Sequence, residues 1–230
     1  MKVLDIGGGF GAAAKQLAET FGVSVTVYNI SKEQVKYGRQ NCEGLDVTFV
    51  LADYRTATGE FDAIYSIGFF EHVGSKNFRG YFELINRCLK PEGLALTHTI
   101  IAADNRVRTD PWINKYIFPG GELPFARDLY LESEKILVVE DYQSFAKSYA
   151  KTLRCWSDNF KKNWPKISKN YEHLVDGKFY RTWTWYLGFC EGVFLDRTAQ
   201  LVQVVHSKYR REAEYYSIRD HRDVGEAHIV

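Results

Sequence analysis

Apolar and polar residues recur with two different periods along this chain, and the switches between them set out an order of elements. Residues 2–6 form a short apolar run that reads as a buried strand, residues 11–21 read as a helix, and residues 23–28 are strand-like and rich in β-branched side chains. This is a βαβ unit. Ser31 followed by Gln34 makes a capping box that opens a helix to about Cys42, after which residues 46–51 and 61–67 read as the third and fourth strands. Residues 77–89 supply another helix, stopped by Lys90-Pro91-Glu92-Gly93, and residues 94–101 a fifth strand. Strands joined by helical crossovers predict an α/β fold with a doubly wound, mostly parallel sheet, in which ligands sit beyond the carboxyl ends of the strands.

The second half is less regular. Residues 104–124 read as a long irregular insertion, 136–142 as a strand, 144–164 and 171–190 as helices, and 199–209 as a last strand. The two late strands close the expected sheet at seven as an antiparallel pair. The helices between them form a helical cap, an insertion of about 104–190, over the strand ends. Residues 1–209 then make one domain, and residues 210–230 a charged tail that is frayed or laid on the surface.

Composition narrows the class. A chain of 230 residues can bury a full core, and its formal net charge of +1 creates no global field that would draw it to nucleic acid. Cys42, Cys88, Cys155 and Cys190 are widely spaced, which suggests neither a zinc site nor a disulfide framework, so a reducing, cytoplasmic setting fits. No apolar run approaches the roughly 18 residues of a membrane span, although contact with a membrane surface stays open.

The strongest chemical signal is the turn after the first strand, Gly7-Gly8-Gly9-Phe10-Gly11. Gly7, Gly9 and Gly11 let the backbone turn tightly and approach a ligand closely. The spacing of Gly7, Gly9 and Ala12 also fits a dinucleotide fingerprint, but the end of the second strand carries Tyr28-Asn29 where a nicotinamide enzyme needs an acid for the ribose. Asp5 before the turn and Asp53 after the third strand suit S-adenosylmethionine better, because its ammonium and its adenine amine both want acceptors there. A glycine turn that only packs strand on helix is the plainer alternative.

Further blocks carry a family resemblance: Asp53-Tyr54-Arg55, Ser66-Ile67-Gly68-Phe69-Phe70-Glu71-His72-Val73-Gly74, Leu89-Lys90-Pro91-Glu92-Gly93, His98-Thr99-Ile100 and Asp110-Pro111-Trp112-Ile113-Asn114-Lys115-Tyr116-Ile117-Phe118-Pro119. With the glycine turn, they resemble the cyclopropane-fatty-acyl-phospholipid synthases and the mycolic acid cyclopropane synthases, from the first residue to about Tyr209. Many methyltransferases share the turn, whereas the Phe-Glu-His-Val-Gly and Asp-Pro-Trp blocks are far more specific. The resemblance implies a class I methyltransferase, Rossmann-like fold. It also implies S-adenosylmethionine as methylene donor, a cis double bond of a phospholipid acyl chain as acceptor, and peripheral membrane association.

By motif, the resemblance assigns cofactor contacts to Asp5, Gly7, Gly9, Gly11, Asn29, Ile30, Gln34, Asp53, Tyr54 and Ile67. It implies a bound bicarbonate ion as the base that removes a proton during ring closure, held by Glu71, His98, Tyr149 and the backbone of Ile100. Each residue has a plainer reading as well. Glu71 and His72 could be a solvent-facing pair, His98 a satisfied core histidine, Tyr149 amphipathic packing and Gln34 a solvated helix residue.

Trp112, Phe118, Trp156, Trp164, Trp183 and Trp185 alternate with lysines in the second half, which suits a lipid interface, a packed cap with a basic face, or contacts in a homodimer. The family also implies a cysteine-bearing segment upstream of the first strand that covers the cofactor, and full members add an N-terminal domain. As written, the chain starts at that strand, and Gly8 and Phe10 stand where members often carry Cys and Trp. The expectation is a catalytic core that is incomplete alone and binds cofactor weakly. A small-molecule N-methyltransferase of the same fold, and a non-catalytic remnant or partner subunit, are the alternative readings.

Overall fold

Val3, Leu4 and Ile6 are almost wholly buried, so the first strand, β1 (Lys2–Ile6), is packed on both faces as a central parallel strand must be. The computed structural model describes residues 1–103, 110–171 and 177–217. The chain continues through α1 (Ala12–Phe21), β2 (Ser24–Asn29), α2 (Lys32–Asn41), β3 (Val47–Leu51), β4 (Phe61–Ile67), α3 (Phe78–Cys88) and β5 (Leu89–Ala102). Then follow α4 (Pro111–Tyr116), α5 (Ala126–Leu131), β6 (Val138–Ser144), α6 (Ala146–Asn170), α7 (Lys178–Asp196) and β7 (Ala199–Ser207).

The strands form one seven-stranded sheet in the order β3-β2-β1-β4-β5-β7-β6, with β7 antiparallel to both β5 and β6 and the remaining pairs parallel. The expected doubly wound sheet with a late antiparallel pair is therefore present. One face buries Leu4, Ile6 and Ile64 against Phe78, Phe82 and Ile85 of α3, and the other buries Val3, Val25 and Val27 against Ala14 and Val35 of α1 and α2. A third cluster, Ala150, Leu153, Leu187 and Phe194 with Ala199 and Leu201, seats the α6–α7 pair on the start of β7. Ile100 packs against it, so the cap lies beside the carboxyl end of β5.

Several boundaries differ from the sequence reading. Helix α3 ends at Cys88, and Lys90-Pro91-Glu92-Gly93 lies within the long β5 rather than in a stop loop. The β4–β5 register shifts between Phe61 and Ala63, and Gly93 permits the close approach: a Cβ there would stand 2.8 Å from the Asp62 carbonyl oxygen. Helix α6 runs through Pro165 instead of stopping before it. Phe160 and Trp164 both pack on Tyr180 of α7, and this tertiary contact holds the helix across the proline. Helix α7 extends to Asp196 because Phe194 belongs to the core, and it closes at Arg197 with φ of 66°.

Residues 104–124, read as irregular, contain the short helix α4, and a second short helix, α5, follows them, while residues 104–109 lie outside the described residues. Of the tail, residues 210–217 lie on the surface. There Glu92 accepts the backbone N–H groups of Glu212 and Ala213, each at 3.2 Å, and residues 218–230 lie outside the described residues. No described helix is long and apolar enough to cross a membrane.

Candidate active site

The sheet order reverses between β1 and β4, and the glycine turn leaves β1 at that point. Gly7 has φ of 77° and is pressed by the Phe69 ring, so a Cβ would stand 2.1 Å from Phe69 Cδ2. Gly9, with φ of 53°, has no heavy atom within 4 Å of that position, so its backbone faces an open cradle. Gly11 packs on the Phe49 ring and precedes α1 directly. Asp5 lies beneath the turn rather than at its mouth. It is 1 % exposed, and its Oδ2 accepts the Tyr65 hydroxyl at 2.7 Å. Burial, against the opposing pull of the Tyr65 bond, pushes its carboxyl up to about 7.

Asn29 ends β2 and ties the mouth together. Its Nδ2 donates to the Gly9 carbonyl at 3.0 Å and to Gln34 Oε1 at 2.9 Å, while its Oδ1 accepts the Ser31 N–H at 2.9 Å. Ser31 caps α2 by accepting the Gln34 N–H at 3.3 Å, but the reciprocal half of the expected capping box goes to Asn29, whose own amide holds Gln34 Oε1. Asp53 follows β3 and is clamped by Arg55, with contacts of 2.9 and 2.6 Å that hold its carboxyl below the usual range. Tyr54 is half-buried beside it, and Ile30 and Ile67 are exposed apolar residues at the ends of β2 and β4.

The opposite side of the crevice is built from β5. His98 pairs with Ile67, the last residue of β4, and beyond that point the Ile100 N–H has lost its strand partner. Glu71, in the 3₁₀ turn Phe70–His72, supplies the replacement: its Oε1 accepts the Ile100 N–H at 2.7 Å. The backbone donor of Ile100 is thus spent on Glu71, and Ile100 positions that side chain. Glu71 Oε2 is buried with no partner. Burial raises the Glu71 carboxyl, opposed by the Ile100 bond.

His98 lies on the same face of β5 as Ile100, and its Nδ1 meets Gln203 Nε2 at 3.1 Å. A donating Gln203 amide goes with the neutral tautomer protonated on Nε2, and burial lowers the pKa of the ring in the same sense. Tyr149 of α6 packs in the cluster that includes Ile100, its ring edge-on to Phe194 at 4.7 Å. Burial raises its hydroxyl pKa and the charge of Glu71 adds to the shift, so the phenol stays protonated within electrostatic reach of that carboxyl.

The structure therefore gathers Glu71, His98, Ile100 and Tyr149 at the carboxyl end of β5, and the glycine turn, Asn29 and Gln34 across from them. Sequence reasoning gave no role to Tyr65, Gln203, Tyr186 or Cys190. Tyr186 and Cys190 lie one turn apart on α7, and Cys190 contributes to the raised Tyr149 pKa. Their helical spacing was visible, but nothing local linked them to Tyr149. The Asp-Pro-Trp block is shaped by local rules. Asp110 caps α4 through the Trp112 and Ile113 N–H groups, Pro111 opens the helix, and Phe118 packs on His72 at 5.8 Å. Among the described residues no cluster of three His, Cys, Asp or Glu side chains could hold a metal ion.

A doubly wound sheet with this order, a glycine turn at its reversal and a ligand crevice beyond the strand ends define the class I methyltransferase fold. Within that class, the family model described as mycolic acid cyclopropane synthetase matches residues 1–204, and the chain belongs to that family. It is 47% identical over 208 residues to the cyclopropane-fatty-acyl-phospholipid synthase of Escherichia coli K12, covering 90% of this chain and 53% of that protein. It is 33% identical over 175 residues to cyclopropane mycolic acid synthase 1 of Mycobacterium tuberculosis, covering 68% of this chain and 61% of that protein. The chain spans about half the length of the first of these relatives. Among solved structures, the cyclopropane synthase MmaA2 from Mycobacterium tuberculosis matches 90% of this chain and 78% of its own, with a TM-score of 0.82 and 25% identity. The mycolic acid cyclopropane synthase CmaA1, solved with S-adenosylhomocysteine, matches the same shares with a TM-score of 0.81 and 28% identity.

Proposed function

We propose that this chain is the catalytic unit of a cyclopropane synthase, which transfers a methylene group to a cis double bond in a phospholipid acyl chain. The observation that carries this reading is Glu71: a carboxyl fixed by one oxygen to the Ile100 N–H, with the other buried, unpartnered and near the Tyr149 phenol. A buried polar atom without a partner costs about 1–3 kcal/mol, a cost that a bound ligand would offset.

The residues across the crevice suit S-adenosylmethionine. The bare backbone at Gly9 leaves room for close approach, Gln34 Nε2 would donate to ribose hydroxyls, the Asp53 carboxylate would accept, and Ile30, Tyr54 and Ile67 would give apolar walls. When bound, that cofactor supplies an electrophilic methyl carbon. The chain itself contributes orientation and a dry slot, since an alkene is a weak nucleophile and needs alignment more than activation.

Ring closure also requires a proton to leave the added carbon, and bicarbonate supplies a base of suitable strength. Glu71 Oε2 would accept its hydroxyl hydrogen, and His98 Nε2–H and the Tyr149 O–H would donate to its oxygens. This arrangement uses a neutral His98 and a neutral Tyr149, the states that their burial favours.

A membrane surface is the proposed source of substrate. Trp164 and Trp183 are half-buried and stack on Phe179, but Trp185 and Phe189 are exposed and stacked at 5.0 Å. Trp112 joins Trp185 edge-on at 4.5 Å, and Lys115 lies over the exposed Tyr116 ring at 5.0 Å. Aromatic rings flanked by cations suit the boundary between anionic headgroups and acyl chains. A cytoplasmic protein that meets the membrane peripherally is consistent with this face.

Turnover on unsaturated phospholipid vesicles, measured in buffer stripped of carbon dioxide and again with bicarbonate restored, tests the reading. Activity should fall on stripping and return on addition. Turnover indifferent to bicarbonate would instead point to an acceptor amine, which needs no such base.

A further inference from the structure

Phe69 follows Gly68 at the end of β4, and nothing in the sequence motifs gives it a task beyond spacing. In the fold its ring lies against Gly7, where a Cβ would come within 2.1 Å of Cδ2, and it meets the Tyr54 ring edge-on with centroids 5.1 Å apart. The ring is only partly buried, and its neighbours Gly7 and Tyr54 belong to the residues assigned to the cofactor. Gly7 leaves β1 and Phe69 leaves β4, the two neighbouring strands between which the sheet order reverses.

Two groups of residues flank that point. Asn29 and Gln34 stand at the end of β2 on one side, and on the other Glu71 follows β4 while His98 of β5 pairs with the last residue of β4. A ligand whose ribose meets the first group and whose transferable carbon meets the second carries its middle past Phe69. In S-adenosylmethionine that middle is the sulfonium, a fixed cation that the demethylated product lacks. The nearby carboxylates each carry another contact, Asp5 with Tyr65 beneath the turn, Asp53 with Arg55 and Glu71 through one oxygen with the Ile100 N–H, and the second Glu71 oxygen is assigned above to the bicarbonate. An aromatic ring is the remaining group that attracts a cation in a dry site.

We propose that Phe69, backed by Tyr54, recognises the sulfonium and so makes the protein favour the methyl donor over S-adenosylhomocysteine. This rests on the cofactor assignment above. The consequence is release of product: once the methyl has left, the attraction to the ring is lost while the ribose and adenine contacts remain.

Calorimetric titration of both ligands separates this from simple packing. Phe69→Leu should weaken S-adenosylmethionine by about three- to thirtyfold, the range of a partly desolvated cation–aromatic contact, and leave S-adenosylhomocysteine within about twofold. Phe69→Tyr should keep the wild-type ratio. A ring-fluorinated phenylalanine at the same position keeps the shape but drains the negative face, and should lose the preference even if Phe69→Leu folds poorly. Equal weakening of both ligands in the leucine variant, or an unchanged ratio in the fluorinated one, would overturn the inference. Failure of the wild-type protein to bind either ligand would instead overturn the cofactor assignment, and the role of Phe69 with it.

Discussion

Glu71 and Ile100 meet where β4 ends and β5 continues: the carboxyl takes over the hydrogen bond that the strand can no longer make, at 2.7 Å. One oxygen is therefore structural and the other is free to act. Glu71→Gln keeps an oxygen for the Ile100 N–H but replaces an acceptor by a donor. It should reduce turnover by about 10²–10⁴ with little change in unfolding temperature. Glu71→Ala also orphans the N–H and should cost about 1–3 kcal/mol of stability in denaturant unfolding.

Tyr149 gives a second, independent test. Its ring packs on Phe194 and Trp156, contacts that phenylalanine preserves, while its hydroxyl is the proposed donor. Tyr149→Phe should lower turnover by about 10² and leave the unfolding midpoint in place. A loss of stability matching the loss of activity would mean that the hydroxyl serves packing.

The glycine turn separates two kinds of glycine. Gly7→Ala combines a left-handed φ with a collision against Phe69 and should destabilise by roughly 1–3 kcal/mol. Gly9→Ala meets no protein atom, so beyond about 1 kcal/mol of backbone strain its effect should appear as weakened S-adenosylhomocysteine binding in calorimetry.

Two buried groups set opposite pH dependences of stability. Asp5 has a folded value of about 7 against 3.8 for the free group, so the folded state holds a proton that the unfolded state has lost. Stability from this group is highest below pH 4 and declines up to pH 7, by roughly 4 kcal/mol at most. Asp5→Asn should remove that decline, and urea unfolding at pH 5 and pH 8 should show the variant gaining on the wild type as pH rises.

His206 of β7 is wholly buried, and burial, opposed more weakly by the Leu129 backbone, lowers its pKa from 6.5 to about 4. Its neutral ring is tolerated above pH 6.5, and the stability tied to that state is lost as pH falls towards 4, by roughly 3 kcal/mol. His206→Leu should flatten the acid limb of a stability profile measured between those values. An unchanged acid limb would mean that other groups govern it.

Much of this was legible in the sequence where local rules decide. The βαβ units, the glycine turn and the antiparallel closing pair follow from periodicity and motif, whereas Glu71, His98 and Tyr149 were singled out only by the family resemblance. What was hidden depends on long-range contact. Lys90-Pro91-Glu92-Gly93 looks like a loop until Gly93 is pressed on Asp62, and Pro165 looks like a helix end until Phe160 and Trp164 are held by α7. Gln203 and His98 are 105 residues apart, so no local pattern could show that their side chains meet. Asp5 shows the converse case, a motif residue whose burial under the turn and bond to Tyr65 appear only in three dimensions.

The central claim is tested most directly by the fate of the transferred carbon. Methyl-labelled S-adenosylmethionine is incubated with the protein and phospholipid vesicles carrying cis-unsaturated chains, and the recovered lipids are cleaved into acyl chains and headgroups for mass analysis. The account predicts label in the acyl fraction, with one added methylene per lost double bond, and its disappearance in Glu71→Gln. Label confined to an amine headgroup, or no transfer by protein that binds S-adenosylhomocysteine, would contradict it.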